Sequence, residues 1–109
     1  MFKNLSQLKQ FLKENIGIEY TVINYNFKSK QKRKLSIVQS KSFAGQILDQ
    51  NHPNYGQNSW SDFPKASDIK FTENGFIIYF LGVMELEYIF PVKRWFHDLK
   101  NNSRIIEHN

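Results

Sequence analysis

Apolar residues recur at helical spacing near both ends of the chain and alternate with polar ones between them. Leu5, Leu8 and Leu12 form one stripe, widened by Phe11, while Lys3, Lys9, Gln10 and Lys13 fall off it. That spacing predicts a helix over residues 4–15, laid on a core. Asn4 can cap its first turn, Gln7 three residues on can complete a capping box, and Gly17 suits a left-handed stop. Near the other end Val92, Trp95, Phe96 and Leu99 stand at i, i+3, i+4 and i+7 behind Pro91. Proline favours the first helical position, so a second, short helix is expected over 91–100.

The region between reads as strands. Ile18, Tyr20 and Val22 share one parity, and Ile23, Tyr25 and Phe27 the other. The switch after Val22 predicts a bulge, or a strand bending from one side of a small barrel to the other. Leu35, Ile37 and Val38 resume the apolar pattern, so 18–40 reads as a hairpin with a long, basic tip. Residues 41–67 are irregular and dense in turn formers around Asn51-His52-Pro53-Asn54-Tyr55-Gly56. Within them Phe43 to Leu48 fits a short strand or a helical turn equally. Ile69 and Phe71 alternate with polar neighbours, and Asn74-Gly75 is a strong two-residue hairpin signal. The continuous run from Phe76 to Leu81 predicts a central strand covered on both faces. Leu86, Tyr88 and Phe90 then alternate with Glu85 and Glu87 as a half-buried strand.

These elements compose an α+β fold: a bent antiparallel sheet of about five strands, open or closing into a small barrel, with an N-terminal helix and a short C-terminal helix. The expected core is Leu5, Leu8, Leu12, Ile18, Tyr20, Val22, Leu35, Ile37, Ile69, Phe71, Ile78, Phe80, Leu86, Tyr88 and Trp95. With 109 residues and 13.0 kDa the chain reads as a single domain, 1–109. It contains no cysteine, which excludes disulfides and thiolate metal sites. No apolar run reaches the roughly 18 residues of a membrane span, and a cytoplasmic location in a bacterial host cell is expected.

Charge adds an asymmetry. Residues 1–34 carry a net +6 and residues 35–109 a net −1, for the overall +5. Most of the excess lies in Lys28, Lys30, Lys32, Arg33 and Lys34. Such a cluster attracts phosphate or an acidic protein face, although lysines on an edge strand also serve to keep it from pairing with another chain.

No reaction is named by a motif. His52, His97 and His108 do not stand at i, i+4, so no metal is expected and no cofactor is implied. There is no Gly-x-Ser-x-Gly turn and no glycine-rich phosphate loop. A small metal-free ribonuclease would need a base, an acid and a cation, and His52, His97, Tyr55, Lys93 and Arg94 are of the right types. A basic protein with 16% aromatic residues also fits a binder of single-stranded or structured nucleic acid.

Phe2-Lys3-Asn4-Leu5-Ser6-Gln7-Leu8-Lys9, then Val38-Gln39-Ser40, then Ser59-Trp60-Ser61-Asp62-Phe63-Pro64-Lys65-Ala66-Ser67 and the Ile78-Tyr79 pair carry a resemblance. Over residues 2–80 the chain resembles small, functionally uncharacterised proteins of phages and mobile elements of bacteria. That resemblance implies a setting and no activity: a compact accessory protein of an invader of bacterial cells. The first expectation is therefore a non-catalytic inhibitor of a bacterial defence system, of the anti-CRISPR or anti-restriction type. Its partner would be a defence nuclease or its guide-RNA complex. Lys28, Lys30, Lys32, Arg33 and Lys34 would meet nucleic acid or an acidic partner, and His52, Tyr55, Trp60, Phe63 and Lys65 would form a partner-binding loop, since aromatic rings with a nearby lysine are typical interface anchors. Trp60 and Phe63 equally suit a structural plug at one end of a small barrel, with Pro64 fixing the turn. An apolar sheet edge, or the tail with Ile105 and Ile106, offers a homodimer contact.

Overall fold

A computed structural model describes residues 1–38, 42–59, 68–80 and 84–108, the side chains of Ser59, Phe80 and 102–108 excepted. The chain runs α1 (Leu5–Glu14), β1 (Glu19–Asn24), β2 (Ser29–Val38), β3 (Ser42–Ile47), β4 (Asn58–Ser59), β5 (Ile69–Thr72), β6 (Gly75–Phe80), β7 (Met84–Ile89) and α2 (Lys93–His108). The fold is α+β. The strands form one sheet in the order β4-β3-β2-β1-β7-β6-β5, antiparallel at every pairing. The two-residue β4 and the four-residue β5 are its edges, so the sheet is open and the barrel alternative is corrected.

The caps of α1 follow from its sequence. Asn4 Oδ1 accepts from the Gln7 N–H at 2.9 Å. Gln7 Oε1 reaches back one residue beyond the cap, accepting from the Lys3 N–H at 2.8 Å. Gly17 takes φ +96°, the left-handed conformation that lets the chain turn into β1.

Both helices pack on one face of the sheet. Tyr20, Val22, Leu35, Phe76, Ile78 and Tyr88 project from that face into a core shared with Leu8, Phe11, Leu12, Phe90 and Val92. Phe2, missed by periodicity because it precedes the helix, is buried between the helices. Its ring lies 5.4 Å from Phe11, 5.1 Å from Phe96 and 6.1 Å from Trp95. Trp95 also ties the two helices by donating its indole N–H to Glu14 Oε2 at 3.1 Å.

Several local expectations are corrected. β1 has no bulge, since its pairing with β2 is continuous from Glu19↔Lys34 to Asn24↔Ser29. The parity switch reflects two populated faces: Tyr20 and Val22 lie under the helices, and Ile23 lies opposite. β6 is covered on one face only, with Phe76 and Ile78 buried while Tyr79 is exposed. The hairpin before it turns one residue earlier than Asn74-Gly75. Thr72 pairs with Gly75, so Glu73-Asn74 is the turn. Gly75 is required for a different reason: a Cβ there would strike the Tyr88 carbonyl oxygen of β7. Ile37, expected in the core, is 44% exposed, two residues past Leu35 toward the far end of β2. The C-terminal helix is longer than expected, reaching His108. The expected core role of Phe80, and the dimer contact through Ile105 and Ile106, depend on side chains outside the described ones.

Candidate binding surface

The basic cluster lies mostly in a strand and not in a hairpin tip, which corrects the expected long loop. Lysine breaks the apolar period and hides the strand from sequence inspection. In space β2 is hydrogen-bonded to β1 on one side and β3 on the other, so it is not an edge. Alternation then splits the cluster. Lys30, Lys32 and Lys34 are exposed on the face that carries no helix, spaced about 6.7 Å apart along the strand. Arg33 points to the helix-bearing side, where its Nε and Nη2 donate to Gln31 Oε1 at 3.3 and 3.0 Å. There it sits beside Tyr20, whose phenol burial pushes far above its ordinary pKa and Arg33 draws partly back. Lys34 is opposite Glu19, whereas Lys30 is opposite Ile23 and Lys32 opposite Thr21.

The turn joining β1 and β2, residues 25–28, is tightly built. Asn24 Oδ1 accepts from the N–H groups of Asn26 and Phe27 at 3.0 and 3.1 Å. Such a side-chain turn is why asparagine is favoured here. Asn26 Oδ1 accepts from the Glu85 N–H at 2.9 Å, and the Tyr25 N–H donates to the Glu85 carbonyl at 3.1 Å. The Tyr25 hydroxyl donates to the Glu87 carboxylate, and that hydrogen bond raises the phenol's pKa. Lys28 closes the turn at φ 52°. Phe27 is left 75% exposed at its apex. The parity that Phe27 shares with Ile23 and Tyr25 suggests a strand, but the Asn24-x-Asn26 pair signals that a turn has begun.

The β3–β4 connection holds the described part of the expected partner-binding loop. Leu48 donates to the Lys32 carbonyl at 3.3 Å, and Gly56 to the Ile47 carbonyl at 2.9 Å. His52 Nδ1 accepts from the Asn54 N–H at 3.0 Å, so this nitrogen holds the turn. Tyr55 is 53% exposed. Trp60, Phe63 and Lys65 lie outside the described residues.

Strand register shows which of these groups gather. β3 ends at Ile47 opposite Arg33, so the 48–57 connection leaves the sheet in the same direction as the 25–28 turn but starts partway along β2. Tyr79 is opposite Glu85, whose carbonyl receives the Tyr25 N–H, and so belongs to the same end of the sheet as that turn. Of the four exposed aromatic residues among the described ones, Tyr25, Phe27 and Tyr79 therefore lie at the end of the sheet that carries Lys28, while Tyr55 is on the connection that leaves β3 level with Lys32 and Arg33.

The ribonuclease candidates fall on two elements, His52 and Tyr55 on the 48–57 connection and Lys93, Arg94 and His97 on α2. His97 lies near the start of α2, which follows the opposite end of β7, and is exposed with its Nδ1 3.7 Å from Asp98. Arg94 pairs with the same Asp98 at 3.9 Å on the exposed side of the helix. Among the described residues no three His, Asp or Glu side chains converge as metal ligands, and no helix is long and apolar enough to cross a membrane. No protein-family model, no curated protein and no solved structure matches the chain.

Proposed function

We propose that this chain is a non-catalytic binding protein of a phage or mobile element that inhibits a bacterial defence nuclease, of the CRISPR or restriction type, by stoichiometric capture of the nuclease or its guide-RNA complex. The observation that carries the reading is the exposed surface of Tyr25, Phe27 and Lys28 on the β1–β2 turn, continued along one face of β2 by Lys30 and Lys32. Aromatic rings supply large contact area at low entropic cost, and lysines speed encounter with an anionic surface. The resemblance to small phage and mobile-element proteins supplies the setting.

The test is DNA cleavage by purified defence nucleases, guide-loaded where they use a guide, titrated with this protein. Inhibition that saturates at an equimolar ratio and is lost in the Lys28→Ala/Lys30→Ala/Lys32→Ala variant supports the reading. Unimpaired cleavage at a large excess, by every nuclease of the host defence systems, overturns it.

A second reading, a nucleic-acid-binding protein acting for the element itself, is favoured by the regular repeat of Lys30, Lys32 and Lys34 along β2. Binding to nucleic acid alone, without inhibition of any nuclease, would select it.

A further inference from the structure

We infer that the β1–β2 turn is a stacking wedge for single-stranded nucleic acid, with Phe27 as the ring that meets a base and Lys28, Lys30 and Lys32 as the track for the phosphates. This rests on the reading of that end of the sheet as the contact surface, and it names the ligand.

Phe27 is set apart from the other phenylalanines. Phe2, Phe11, Phe76 and Phe90 are buried, and Phe43, Phe71 and Phe96 pack against the core. Phe27 alone among the described phenylalanine side chains stands in water, at 75% exposure. Its backbone is not loose. Asn24 holds the Phe27 N–H, Asn26 ties the turn to Glu85, and the Tyr25 hydroxyl ties it to Glu87. An apolar ring presented on a turn fixed by side-chain hydrogen bonds loses little freedom on binding, which is how a preorganised contact gains affinity.

The charges beside it select the ligand class. Lys28 adjoins Phe27, and Lys30 and Lys32 continue on one face of β2 at a spacing of about 6.7 Å, a repeat suited to successive phosphates of an extended strand. Across the sheet Glu85 and Glu87 on β7 would repel a polyanion, which confines its path to the β2 side. A duplex keeps its bases stacked on one another, whereas a single strand offers each base face to a ring. Stacking with lysine contacts to the backbone is the means by which sequence-tolerant single-strand binders work. Tyr55, on the neighbouring connection, offers a second ring beyond the lysines.

The experiment is fluorescence anisotropy of a labelled oligo-dT strand over a salt series starting at roughly 50 mM. Phe27→Ala should weaken binding about tenfold and leave the salt slope unchanged, because stacking releases no counterions. Phe27→Trp should retain affinity. Lys28→Ala/Lys30→Ala/Lys32→Ala should reduce the magnitude of the log–log salt slope by about 2. Phe27 is exposed, so its loss leaves the fold intact, and a circular dichroism melt verifies this. Unchanged affinity in Phe27→Ala, or a blunt duplex bound as tightly as the strand, overturns the inference. So does failure of the native protein to bind the strand while it still inhibits a nuclease, a result that leaves the contact surface standing with a protein as its partner.

Discussion

Asn26 on the β1–β2 turn accepts a 2.9 Å hydrogen bond from the backbone N–H of Glu85 on β7, 59 residues away in sequence. That bond fastens the apex of one hairpin to the start of the next strand. Because Asn24 organises the same turn from within, the surface carrying Phe27 and Lys28 is held by side chains and not by core packing.

Replacing Asn24 with alanine should therefore loosen the turn while sparing the fold. The expected cost is about 1 kcal/mol in urea denaturation, the net worth of such hydrogen bonds. Amide exchange should accelerate at Asn26 and Phe27 and stay slow at Val22 and Tyr88. Uniform acceleration across the sheet would show that the turn is not a local unit.

The core makes a larger demand. Phe2 contacts Phe11, Trp95 and Phe96, and so joins both helices. Phe2→Ala should destabilise by about 4 kcal/mol, a large share of the stability of a domain this size. A loss below about 1 kcal/mol in the same denaturation assay would mean that the first residues do not anchor α1.

At Gly75 the constraint is steric. A methyl group there would fall on the Tyr88 carbonyl oxygen, in a strand pair that cannot part without losing its hydrogen bonds. Gly75→Ala should cost about 3 kcal/mol, the upper range for overpacking. Asn74→Ala, on the turn itself, should cost far less, which reverses the ranking an Asn-Gly turn would give.

Alkaline pH should weaken the fold. Burial raises the phenol pKa of Tyr20, and the hydrogen bond to Glu87 raises that of Tyr25, both from an ordinary value of 10.0. A raised folded-state pKa means stabilisation that is complete below about pH 10 and is lost as pH climbs through the folded value. Urea midpoints should accordingly fall above pH 10, and Tyr20→Phe should remove much of that fall. Ultraviolet titration of Glu87→Gln should show one tyrosine returning toward its ordinary value. A flat stability profile through this range would contradict the burial of Tyr20.

The sequence carried the elements whose apolar period is set by one buried face. Leu5, Leu8 and Leu12 mark α1, and Leu86 and Tyr88 mark β7, because each faces the same core. It failed where a second influence overrides the period. Lys30, Lys32 and Lys34 masked β2, which takes its place from hydrogen bonds to strands on both sides. Ile23, Ile77 and Ile89 populate the face without helices, so β1 looked bulged and β6 looked doubly covered. The basic residues were visible as a group, but their division between two faces, and the placing of Tyr25, Phe27 and Tyr79 at one end of the sheet, depend on strand register. Local spacing does not contain that information.

The most direct test of that end as the contact surface is an amide nuclear magnetic resonance titration of the labelled protein with an oligo-dT strand. The largest shifts should fall on residues 25–32 and 52–56, with α1 and the start of α2 unmoved. Shifts centred on the exposed sides of α1 and α2 instead would contradict the account.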